Sequence, residues 1–69
     1  MGGRVNPTER KEKSRELRNI LENMDVPSFR IQLMNETNLR WLQRNVGINN
    51  GAHPDIDRVM LLIKQILTQ

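Results

Sequence analysis

The chain has no cysteine and no tyrosine, one histidine, one phenylalanine and one tryptophan in 69 residues. Without cysteine there are no disulfides and no thiolate metal sites, which suits a reducing compartment, so a cytoplasmic setting is expected. A lone His53 assembles no histidine-based metal cluster, and neither metal nor cofactor is expected. The longest apolar run is Val59–Ile63, far short of the ~20 residues that cross a bilayer. The first residues lack the apolar core of a secretory signal, so neither secretion nor a membrane role is expected. Met1-Gly2 resembles a myristoylation start, but Asn6 stands where Ser or Thr is required. Asn35-Glu36-Thr37 spells a glycosylation sequon, read as accidental without a secretory route.

Catalytic machinery is also missing. Ser14 and Ser28 lie outside any nucleophile elbow. His53 precedes Pro54 with no triad context and reads as a helix cap. Asp55 and Asp57 suit the start of a helix, where the dipole favours acids. No Gly-Lys-Ser/Thr follows Gly2-Gly3 or Asn50-Gly51, so no phosphate loop forms. A chain of 8.1 kDa has little room for a walled pocket. The expectation is a protein that is not an enzyme and takes no small-molecule substrate.

Positive charge is present and unevenly placed. Net charge is +3. Residues 1–18 carry six basic and three acidic groups, while residues 19–69 balance five against five. The excess therefore belongs to an N-terminal arm, through Arg10, Lys11, Lys13, Arg15 and Arg18. Such an arm attracts phosphate or an acidic surface, or is simply a solvated, charge-mixed helix end.

The apolar pattern is helical throughout. Asn6-Pro7-Thr8-Glu9 reads as a cap, a first-turn proline and a first-turn acid. Leu17, Ile20, Leu21 and Met24 then form an i, i+3, i+4, i+7 stripe, so this helix is expected to reach about Met24. Backwards the stripe meets Ser14, Lys13 and Arg10, so residues 7–16 are expected to project into water as a basic arm, with residues 1–6 frayed. Pro27 breaks the helix. "SFRIQLMN" fits a strand through Phe29, Ile31 and Leu33, or a short helix presenting Val26, Phe29, Leu33 and Met34. No second strand is available to pair with it, so the short helix is expected. A break near Asn35–Thr37, with Asn35 as cap, brings in a helix over 36–46 that ends at Gly47. The last helix opens at Pro54 and carries Ile56, Val59, Met60, Leu62, Ile63, Ile66 and Leu67. The expected fold is all-α: a small three-helix bundle with one additional short helix, one domain over 7–69, with dimerisation as a further way to complete the core.

The richest stretch for recognition is "NLRWLQRN" at 38–45. With Leu39 and Leu42 inward, Arg40 and Arg44 project together, and Trp41 lies beside Asn38 and Asn45. Arg and Trp are enriched at protein-interface hot spots. Arg and Asn also contact bases and phosphates. Alternatively, Met34, Trp41 and Ile48, seven apart, define a second buried face against the last helix. Residues 28–45 have the outline of a helix-turn-helix, but the turn lacks Gly and the first helix lacks a small residue at the approach.

Two functions follow. The first is a helical binding protein or regulator that contacts a protein partner, or itself as a homodimer, through Arg40, Trp41, Arg44 and the exposed-side Leu61. The alternative is a small nucleic-acid-binding protein. It would use Asn38, Arg40, Arg44 and Asn45 for contacts and the arm of Arg10, Lys11, Lys13, Arg15 and Arg18 for phosphates.

Overall fold

A computed structural model describes residues 7–68, all-helical with no strand among them. The expected frayed segment 1–6, with its Asn6 cap, lies outside the described residues. Four helices follow one another: α1 (Pro7–Leu21), α2 (Ser28–Gln32), α3 (Glu36–Asn49) and α4 (Ile56–Leu67).

The core is built on α4, whose Val59, Leu62, Ile63 and Ile66 are all buried on one side. This is the 3.6-residue periodicity of an amphipathic helix made physical. Leu17 and Leu21 of α1 and Leu39, Leu42 and Val46 of α3 complete the interior. Both α1 and α3 pack against α4, but the two never approach each other closely; the short α2 bridges them, touching both. Ile31 is its buried contribution.

Helix α1 runs antiparallel to α4, with Lys13 Nζ donating to Gln65 Oε1 at 3.0 Å. Glu16 accepts two bonds from Arg58, at 2.6 and 2.8 Å. These cross-links correct the picture of a free arm. Pro7–Glu12 is exposed, but Lys13, Ser14 and Glu16 are partly covered, because α4 extends far enough beside them for Gln65 and Arg58 to reach. α1 also ends at Leu21, three residues before the expected Met24. Asn23 and Met24 bond back to the carbonyls of Ile20 and Leu21, the tighter i→i−3 closure common at helix ends. Met24 remains buried at the end of the stripe.

In α2, Ile31 faces inward, whereas Phe29 and Leu33 are 54% and 55% exposed. The expected inward face of Phe29 and Leu33 is thus reversed. A helix of five residues aims one side chain between α1 and α3, and its rotation is set by the hydrogen bonds described below.

The third helix continues past Gly47 to Asn49. Gly47 is an interior helical position beside Met60, not the terminator expected. The glycine required by the α3–α4 turn is Gly51, where a Cβ would stand 2.8 Å from the Gly47 carbonyl oxygen. Pro54 likewise precedes α4, which starts at Ile56. His53 organises that turn: its N–H donates to Asn50, its carbonyl accepts from Ile56, and its Nδ1 accepts the Asp55 N–H at 3.1 Å.

Two measurements test this frame. Leu62→Ala is expected to cost about 2–5 kcal/mol in denaturant unfolding, because it opens a cavity on the packed side of α4. Leu61→Ala, one residue away and 43% exposed, is expected to stay within about 0.5 kcal/mol. Separately, the Arg58 hydrogen bond, reinforced by its charge, lowers the Glu16 pKa below its ordinary 4.5. A carboxylate depressed on folding stabilises above its unfolded pKa, and that stabilisation is lost as pH falls through the folded value. The stability difference between the wild type and Glu16→Gln is therefore expected to be small but measurable at neutral pH. It is expected to vanish on acidification below 4.5. A difference independent of pH would show that the pair contributes nothing as an ion pair.

Candidate functional site

The most unusual local chemistry lies where α2 meets α3. Asn35 caps α3, its side-chain oxygen accepting the Asn38 N–H at 2.9 Å. This fixes the first turn of α3 and turns the Asn38 side chain inward, where it is 5% exposed and the one buried polar residue among those described. Its Nδ2 donates to the Leu33 carbonyl at the end of α2. Its Oδ1 accepts from Arg30 Nη1 at 2.6 Å. One amide thus satisfies the terminal backbone of α2 and holds an arginine in place, as burial of a polar group requires.

Arg30 itself lies between two aromatic rings. Its guanidinium carbon is 4.8 Å from the Phe29 ring centroid and 4.7 Å from that of Trp41. Its Nε is sealed from solvent without a hydrogen-bond partner, the one such buried side-chain nitrogen or oxygen among the described residues. An unsatisfied buried donor costs about 1–3 kcal/mol. Cation–π contacts return roughly 0.5–2 kcal/mol each, depending on desolvation. The two rings therefore offset much of the cost of holding a cation here, and no carboxylate of the described chain pairs with it. The contrast is sharp with Arg40 and Arg58, which pair with Glu36 and Glu16 on the exposed surface.

Around this stack the surface is apolar and basic. Phe29 and Leu33 are exposed, and Trp41 is half-buried with its inner side on the core. Arg44 follows Trp41 by one turn and is exposed. Ile48, one turn further, is 81% exposed. That exposure removes the expected second buried face of Met34, Trp41 and Ile48 against the last helix. Trp41 contacts the core, but on the α2 side, under Arg30.

The residues singled out in the sequence divide as follows. Arg40, Trp41 and Arg44 share the outer side of α3, with Arg40 engaged by Glu36 at 3.1 Å. Leu61 is exposed on α4 between exposed Asp57 and Lys64, apart from the α2–α3 grouping. Asn38 is not on the surface with the arginines, because its amide is committed to Leu33 and Arg30. Asn45 is half-buried and donates to the Trp41 carbonyl at 2.8 Å. On α1, Lys11, Arg15 and Arg18 are exposed at i, i+4, i+7 spacing and so share one face. Lys13 is drawn away to Gln65. Arg10 lines, with Glu36, Ile66 and Leu67, a recess of about 220 Å³ between α1, α3 and α4.

Arg30 was not anticipated from the sequence. It lies eight residues from Asn38 and eleven from Trp41, separations that no helical spacing rule joins across the break between α2 and α3. The one available signal was its position directly after the single phenylalanine. Among the described residues, no group of three His, Asp or Glu side chains is placed to hold a metal ion, and no helix is long and apolar enough to cross a membrane. The chain matches no known protein family, no curated protein and no solved structure.

Asn38→Ala is expected to destabilise by about 1–3 kcal/mol, since it strands both Arg30 Nη1 and the Leu33 carbonyl. It is also expected to shift Trp41 emission, because the guanidinium over the indole loses its anchor. Asn45→Ala, which removes only a bond back to the helix's own carbonyl, is expected to cost well under half as much. Equal losses would show that Asn38 has no special part in joining α2 to α3.

Proposed function

We propose that this chain is a small non-enzymatic binding protein or regulator that acts by protein–protein contact through the α2–α3 face. The observation that carries this reading is the exposed apolar pair Phe29 and Leu33 beside the Arg30–Trp41 stack and Arg44. Arginine and aromatic anchors next to exposed apolar area are the composition of interface hot spots. Function here is occupancy, with no chemical step, cofactor or small-molecule substrate. The finer architecture belongs to the same reading: a three-helix bundle of α1, α3 and α4, with α2 as the additional short helix carrying the contact face. A second copy, if one forms, meets the chain at Leu61. The cysteine-free composition supports a cytoplasmic setting.

Nucleic-acid binding is the second reading, favoured by the exposed Lys11, Arg15 and Arg18 stripe. It is weakened on α3, where Asn38 is buried and Asn45 and Arg40 are already engaged within the fold.

A photo-crosslinking residue placed at Leu33, at Leu61 or at exposed Glu22 of the full chain separates these readings in lysate of the source cell, with and without nuclease. Leu33 is expected to give discrete protein adducts that survive nuclease, and Glu22 none. An adduct of doubled chain mass from Leu61 reports the homodimer. Adducts that vanish with nuclease, or a silent Leu33, would overturn the protein-binding reading.

A further inference from the structure

We propose that the α2–α3 face is built to seat an acidic segment of its protein partner. A partner carboxylate lies against Arg30 and Arg44, and a neighbouring apolar side chain covers Phe29 and Leu33. This inference rests on the protein-binding reading above and adds the chemistry of what binds.

Three observations converge on it. Glu36 pairs with Arg40 and Glu16 with Arg58 on the exposed surface, yet no carboxylate among the described residues pairs with Arg30, the arginine most enclosed by its surroundings. Arg30 is also held in advance: Asn38 accepts from one of its nitrogens, and the Phe29 and Trp41 ring centroids lie 4.8 and 4.7 Å from the guanidinium carbon. A guanidinium immobilised in this way loses little freedom when a carboxylate docks, which is how preorganisation raises affinity. Finally, the exposed apolar groups flank the basic ones. Phe29 on α2 and Leu33 just after its last residue lie beside Arg30, and Arg44 lies one turn beyond Trp41. Acid and apolar groups side by side in the partner complement both features at once, whereas contact with a phosphate backbone alone leaves Phe29 and Leu33 uncovered. Charge complementarity of this kind speeds encounter and excludes basic partners.

The test is selection of a random-peptide display library on the full chain, followed by titration of the enriched peptides. Trp41, the single tryptophan, reports binding at the face through its emission. Enriched peptides are expected to pair Asp or Glu with Leu, Phe or Trp. Their affinity is expected to fall about tenfold or more in Arg44→Glu and in Phe29→Ala. It is also expected to fall as salt rises. Both variants change exposed side chains, and circular dichroism verifies that helix content is kept. Enriched peptides that lose binding in Phe29→Ala but carry no acids, or are indifferent to Arg44→Glu, would overturn the carboxylate assignment and leave the protein-binding reading standing. A library that enriches nothing dependent on Phe29 would sink both.

Discussion

A buried amide decides how α2 and α3 are joined. Asn38 is the one polar residue enclosed among the described side chains, and each of its hydrogen bonds has a separate consequence. Its backbone N–H receives the Asn35 cap and starts α3. Its Nδ2 ends α2 by taking the Leu33 carbonyl. Its Oδ1 immobilises Arg30. Buried polar groups lower stability unless fully paired, so the pairing is restrictive: rotating α2 to bury Phe29 would break it. The exposure of Phe29 and Leu33 is thus a result of the polar network.

The remainder of the fold is a more ordinary hydrophobic solution. α4 supplies a continuous apolar stripe, and α1 and α3 each use part of it. Because α1 and α3 do not meet, the gap between them must be filled, and α2 fills it with Ile31. The short helix is therefore packed on its inner side and exposed on its outer side. Most of the molecule's distinctive surface chemistry follows from this division.

Legibility from the sequence differed by element for physical reasons. The stripes of α1, α3 and α4 were readable because long amphipathic helices repeat their signal several times, and the Asn35 break was readable because capping is local. The orientation of α2 was not. One and a half turns carry too few positions to define a face, and a tertiary bond from Asn38 set the rotation. Gly47 was misread as a terminator because helix ends depend on where the next element packs, and here the turn is closed at Gly51 and His53. Lys13 and Glu16 were read as arm residues because only the path of α4 reveals their partners. In the candidate site, the outward direction of Arg40 and Arg44 was legible by helical phase, while Trp41 was not, since phase left it between a surface and a buried face. Arg30 was not, since its partners come from two different helices, Phe29 from α2 and Asn38 and Trp41 from α3.

The close approach of Gly51 to the Gly47 carbonyl bears on the order in which the chain assembles. It makes α3 and α4 a compact hairpin whose contacts are near in sequence, so little loop entropy opposes its closure. The cross-links of α1 join residues 52 and 42 positions apart, and their formation requires a much larger loop to close. The entropic cost of closure is therefore smaller for α3 against α4 than for α1 on α4. By the same comparison, α1 is the helix whose seat on α4 rests on the contacts most distant in sequence.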